Sequence, residues 1–196
     1  MSRSLMRHSR QEEPGAPKVR SKWLTELLDW IKTFAIAVII VLLLNLLVFN
    51  LSTVEGHSME PTLVEKEWLF VNKAVYLLGK PDRGDVVIVK DPEGRAARKD
   101  YLVKRIIGLP GDTVEIRSKQ LYLNGELMLE AYTDSDIEDM DLGPFVVEAG
   151  TYFLMGDNRH ARASRDSRSF GNVPEELIKG RADFILWPIT KMGRVK

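Results

Sequence analysis

The sequence contains no cysteine. That excludes a disulfide framework, a thiolate metal site and a thiol nucleophile. It leaves the compartment open, since a domain with an adequate core needs no disulfides even outside the cell. Histidine is scarce as well: His8, His57 and His160 are the only three, too few and too scattered for a zinc centre. They also make a Ser-His-Asp triad hard to assemble, because His8 lies in a polar tail and His57 adjoins Ser58. An excess of one charge is missing too, with 28 basic against 28 acidic side chains and a formal net charge of +0. Nothing global therefore points to nucleic acid. There are no internal repeats and no low-complexity tract.

What is present is unevenly distributed. With 196 residues the chain has room for one domain and an appendage. Arg3, Arg7, Arg10, Lys18, Arg20 and Lys22 crowd the first segment, where Pro14, Gly15 and Pro17 interrupt any regular structure and suggest a disordered tail. From Thr33 to Val54 no charged side chain occurs. Such a run is long enough for a bilayer, which takes roughly 20 apolar residues. Trp23, Trp30 and Lys32 precede it as interfacial anchors would. A buried core helix and a cleaved secretory signal are the alternatives. The second fits poorly, because such signals have an apolar core of about 7–15 residues ending at a small-residue site. The basic residues ahead of the span predict a cytoplasmic N-terminus.

After Glu55 the texture changes to short apolar runs punctuated by Gly, Pro, Asp and Asn. Strands are expected at 68–71, 85–89, 101–107, 113–117, 121–123, 146–147, 151–155 and 182–187. Asn124-Gly125 signals a hairpin turn. Residues 134–141 read as an acidic exposed loop, and 174–179 as one or two helical turns. The pattern predicts a mainly antiparallel β domain.

Three stretches carry chemistry. The first is Gly56-His57-Ser58-Met59-Glu60-Pro61-Thr62-Leu63, just past the apolar run. Gly56 permits a close backbone approach and Pro61 stiffens the exit from Ser58; a plain turn joining anchor to domain is the bland reading. In the second, a strand over Tyr101–Ile107 puts Leu102, Lys104 and Ile106 on one face. A lysine between two aliphatic neighbours on a core-facing side loses hydration, and its pKa falls. A neutral amine is what a general base for a serine hydroxyl requires. Alone, Lys104 would more simply snorkel along an edge strand; its neighbour Arg105 reads as half of a structural ion pair. The third stretch, Gly156-Asp157-Asn158-Arg159 with Ser164-Arg165-Asp166-Ser167-Arg168 and Gly171, is dense in Asp, Arg, Ser and Gly. Most of it reads as a loop held by Asp–Arg pairs.

Together with Arg83–Lys90, these stretches resemble the membrane-bound type I signal peptidases, from the anchor to the end of the chain. The resemblance implies a single N-terminal transmembrane helix followed by an antiparallel two-sheet β catalytic domain. It divides the chain into a cytoplasmic tail (1–30), an anchor (31–50) and an extracytoplasmic catalytic domain (51–196). It further implies a serine endopeptidase with a Ser/Lys dyad at Ser58 and Lys104, cleaving exported preproteins after Ala-X-Ala type motifs. Gly56, Met59, Ser164, Asp166 and Arg168 are the supporting positions, with Ser164 orienting the lysine. No cofactor and no metal are implied. The expected setting is a bacterial cell membrane, with the enzyme a monomer whose partners are preproteins and the lipid bilayer, and no nucleic acid.

The sequence departs from the family in two places. A serine or threonine often stands two residues before the nucleophile and helps bind the oxyanion; here Gly56 leaves the second donor to a backbone N–H or an ordered water. A serine placed there is expected to be tolerated unless Gly56 needs positive φ. The loop Arg159–Asp166 also looks longer than the common pattern, which keeps Ser167 as a competitor of Ser164. Competing functions are a related Ser/Lys protease with a dedicated pilin-like or conjugative substrate, and a non-enzymatic anchored β module. Soluble self-cleaving repressors share the dyad but would carry a DNA-binding region in place of Thr33–Val54.

Overall fold

The computed structural model describes residues 22–94 and 101–196. The tail expected before residue 22 lies outside the described residues. Helix α1 (Lys22–Leu47) opens the described chain. It begins inside the segment expected as tail, because Trp23, Leu24, Leu27, Leu28 and Ile31 already recur at helical spacing before the apolar run starts. All its side chains are solvent-exposed. Its 26 residues would measure roughly 39 Å at 1.5 Å each, enough to cross a bilayer core. The helix up to Val41 forms one compact unit and Leu42–Lys196 another.

The second unit is almost all β. Its elements in order are β1 (Phe49–Thr53), β2 (Trp68–Asn72), the short helix α2 (Val75–Leu78), β3 (Val86–Lys90), β4 (Tyr101–Gly108), β5 (Thr113–Arg117), β6 (Gln120–Leu123) and β7 (Glu126–Leu127). There follow β8 (Leu142–Val146), β9 (Thr151–Met155), the short helix α3 (Ser167–Phe170), β10 (Val173–Pro174), β11 (Ile178–Trp187) and β12 (Gly193–Arg194). They form two sheets. One runs β1-β2-β11-β3-β4-β9-β10 with β12 added to β11, and the other runs β7-β6-β5-β8. Every pairing is antiparallel.

Strand β3 explains how the large sheet is filled. Val86 and Ile88 enter one cluster, with Val54, Met59, Leu63, Leu69 and Val71. Val87 and Val89 enter another, with Ile106, Tyr152, Leu154 and Val173. The sheet is thus covered on both faces at this point, so an unbroken apolar run replaces alternation. A third cluster, around Ile107, Val114, Ile116, Phe153 and Met155, lies between the sheets.

Two expectations change and a third is narrowed. Strand β1 falls at the end of the segment read as uncharged anchor; hydropathy does not separate the two because Asn50, Ser52 and Thr53 carry no charge. The stretch 134–141 is not simply an exposed loop, since Ile137 is buried in the third cluster and pins it. The expected helix at 174–179 is one 3-10 turn, Glu175–Leu177, between strands β10 and β11.

Candidate active site

Ser58 lies on the loop between β1 and β2, fixed by the residues that follow it. Met59 and Leu63 are fully buried, and the N–H of Leu63 donates to Met59 O at 2.9 Å. The loop is also tied to the stretch after β9. Asn158 donates its backbone N–H to Ser58 O at 3.1 Å and its side-chain amide to His57 O at 3.0 Å. Gly156 sits between the two segments, where a Cβ would run into Ser58 O and Ser164 Oγ. Gly56 holds φ +86°, a conformation that needs no side chain.

Lys104 approaches from β4. It stands across from Val87 and shares a face with half-buried Leu102 and buried Ile106. The N–H of Ile106 donates to Asp85 O on the β3 side at 2.9 Å. By alternation the carbonyl of Val103 points to the opposite edge, which β9 leaves open because it pairs with β4 only from Arg105 onward. The ammonium of Lys104 donates there, to Val103 O at 2.9 Å, and to Ser58 Oγ at 2.7 Å. Burial draws its pKa down to about 8 from 10.5, against the negative charge of Asp166 and with the help of Arg165 and Arg168. Among the described residues the N–H of Ser58 donates to no protein acceptor.

Behind the pair lies a frame of buried ions. Arg105, the next residue on β4, grips Asp157 through Nε at 2.9 Å and Nη2 at 2.6 Å. Arg159 meets Glu130 at 2.7 and 2.6 Å. Asp166 accepts from Arg168 Nε and Nη2, both at 2.8 Å, from Gly156 N at 3.0 Å and from Ser164 Oγ at 2.7 Å. Burial pushes the Asp166 carboxyl up. The bonds and charge of Arg168, with those from Gly156 and Ser164, outweigh that and hold it below its usual range.

The supporting residues thus gather around one spot, with a division of labour the sequence left open. Ser164 spends its hydroxyl proton on Asp166. Ser167 is turned away, its Oγ accepting from Leu154 N at 2.9 Å. Glu130 and Asn158 had no role assigned by sequence. Glu130 gave no signal, standing outside every matched stretch, whereas Asn158 was inside one.

A cleft of about 320 Å³ opens at the pair, lined on one side by Ser52–Gly56 and on the other by Tyr101–Lys104, with Ser58, Met59 and Ile88. Among the described residues no group of His, Asp and Glu is arranged to hold a metal ion.

Comparison with known proteins reaches the same stretch of chain. The family described as "Signal peptidase, peptidase S26" matches residues 27–187. Signal peptidase I P of Bacillus subtilis subsp. natto is 40% identical over 182 residues, covering 88% of this chain and 95% of that one. Signal peptidase I of Bacillus licheniformis is 38% identical over 178 residues, covering 86% and 92%. Signal peptidase I T of Bacillus subtilis strain 168 is 37% identical over 196 residues, covering 95% and 98%.

Proposed function

The chain belongs to the S26 signal peptidases and functions as a signal peptidase I, and we propose that it does so with Ser58 as nucleophile and Lys104 as general base. The observation that carries this is the 2.7 Å hydrogen bond between Lys104 Nζ and Ser58 Oγ, made by an amine whose pKa burial lowers to about 8. An exported preprotein lies extended in the cleft, adding its backbone to the open edge of β4 at 101–103. The floor at Val54, Met59 and Ile88 is apolar and buried. It accepts the small side chains of an Ala-X-Ala motif.

The steps balance around one proton. Neutral Lys104 takes the hydroxyl proton as Ser58 Oγ bonds to the scissile carbonyl carbon. The resulting oxyanion accepts from the Ser58 N–H, while Lys104 returns its proton to the leaving amine as the C–N bond breaks. The mature protein's new N-terminus departs, leaving an acyl ester on Ser58. A water, deprotonated by Lys104, then attacks the ester carbonyl; the Oγ–C bond breaks, Lys104 returns the proton to Ser58 Oγ, and the signal peptide leaves with a free C-terminal carboxyl group.

The enzyme acts at the bilayer as a monomer, held by α1 with its N-terminus in the cytoplasm and its cleft outside; the basic residues ahead of the span support that orientation. The direct test is N-terminal sequencing of the products from a preprotein incubated with wild type and with Ser58→Ala. Wild type should release one mature N-terminus following a small residue, and the variant none. Product of the same sequence from Ser58→Ala would overturn the assignment. A chain shortened through Val41 should lose more efficiency on membrane-embedded preproteins than on short peptides; equal losses would assign the anchor to folding alone.

A further inference from the structure

The end of helix α1 is closed by a single side chain from elsewhere in the fold. The last four carbonyls of an α-helix have no intrahelical donor. Here Leu44 O receives Val48 N at 2.8 Å, while Asn45 O and Leu46 O receive Lys73 Nζ at 3.0 and 3.3 Å. Val48 O then accepts from the backbone N–H of Lys73 at 2.8 Å and of Ala74 at 3.2 Å. The very next residue, Phe49, is paired with Asn72. An ammonium suits the place: it has three protons to give, and its charge meets the negative end of the helix dipole. Among the described residues these carbonyls, and no carboxylate, are its partners.

What this clamp holds is β1. It is an edge strand with β2 as its one neighbour in the sheet. A strand paired on one side opens from its ends at low cost in free energy. The C-terminal end of β1 is secured by Val54 N to Glu67 O at 2.8 Å and Lys66 N to Val54 O at 2.9 Å. The N-terminal end is held by the backbone bonds to Val48 O, and the Lys73 ammonium ties that turn to the end of α1. Between the two lie Ser52 and Thr53, which form part of the cleft wall facing β4.

We propose that Lys73 is a positioning residue for the peptidase reaction, clamping the turn between α1 and β1 so that β1 stands as a fixed wall of the substrate cleft. The idea rests on the reading of that cleft as the substrate site. Ser58 and Lys104 stand on other elements, so the clamp governs how tightly a peptide is held and not the proton transfer itself. Loss of the ammonium should then raise KM and spare kcat.

The test uses the full chain in detergent micelles and a short peptide bearing an Ala-X-Ala motif, with Lys73→Met, Lys73→Arg and Ser58→Ala. Lys73→Met keeps the length of the side chain and removes its donors. It should raise KM roughly five- to tenfold with kcat within about twofold. Arginine should restore most of the difference, since its fork can serve two carbonyls. Amide exchange should quicken across β1 in Lys73→Met and stay unchanged in β4. An unchanged KM, a fall in kcat alongside Tm, or failure of arginine to rescue would each overturn the proposal. Residual turnover by Ser58→Ala would count against the reading of the cleft, and the exchange of β1 would still decide the clamp.

Discussion

Ser58 Oγ and Lys104 Nζ lie 2.7 Å apart although 46 positions separate them in the chain. Neither could hold that distance by itself. Ser58 rides on a loop nailed down by Met59 and Leu63 and tied to Asn158. Lys104 is buried on β4 and reaches round the edge that β9 leaves unpaired. The open edge frees a path for the amine and, in the proposed reading, leaves backbone groups for a peptide.

If the two act as one unit, Ser58→Ala and Lys104→Met should each lower kcat by about 10⁴ or more, and the double variant should be scarcely worse. Circular dichroism should show the β domain intact in all three. Appreciable cleavage by Lys104→Met at neutral pH would remove Lys104 from the chemistry.

The pH dependence follows from the depressed pKa. If Lys104 is the general base, the neutral amine is the active form, so kcat/KM should rise with pH through about 8 and level off above it. Making Leu102 and Ile106 polar would rehydrate the amine and move that limb to higher pH. Stability has its own sign. The folded pKa, about 8, is below the 10.5 of the exposed group, so between these values the unfolded chain binds more protons. Wild type should therefore gain stability relative to Lys104→Met as pH rises from 8 towards 10.5, by urea denaturation. Below 8 the burial cost is present in full, and the methionine variant should be the more stable of the two.

Asp166 acts on the lysine from a distance while holding the loop together. Its charge is the largest influence raising the pKa of Lys104 against desolvation. Asp166→Asn should thus shift the activity limb to lower pH. It should also cost about 1–3 kcal/mol, because Arg168 would lose its charge-assisted bonds to Asp166 and keep only Asp139, at 2.9 Å. A variant with lower stability and an unmoved pH limb would confine Asp166 to architecture. Ser164→Ala removes one hydrogen bond to Asp166 and leaves its charge in place, so it should lower stability by less and leave the pH limb unmoved.

How much of this was legible beforehand depended on which interaction set each feature. Strand positions such as Thr113–Arg117 and Thr151–Met155 follow from apolar runs and turn residues, which are local. Burial of Lys104 could be inferred from Leu102 and Ile106, because strand periodicity is local too. The bond to Ser58 came from family resemblance and not from spacing. Glu130 was invisible: its role exists only because Arg159, from another loop, is fully buried and needs a carboxylate. Strand β1 was hidden for a different reason. Its residues are uncharged like those of the helix before it, and only pairing with β2 tells them apart.

Gly56 is where the structure selects between two sequence expectations, and it gives the sharpest mutational test. The family resemblance invites a hydroxyl two residues before Ser58, tolerated there unless Gly56 needs positive φ. The backbone there has φ +86°, however. An L-residue on the positive-φ side brings Cβ against its own carbonyl oxygen, at roughly 1–2 kcal/mol. That strain falls on the residue pair leading to Ser58, so it should appear as displaced catalytic geometry as well as lost stability. Serine should then reduce kcat/KM nearly as badly as valine, although only valine is β-branched. Asparagine, which tolerates this backbone region better than other side chains, should retain more activity than serine despite being larger. The order Gly, Asn, Ser, Val in kcat/KM, with folding verified by circular dichroism, would identify φ as the constraint. Full activity in Gly56→Ser would instead mean that the loop relaxes to negative φ, and that a hydroxyl can serve the oxyanion from this position.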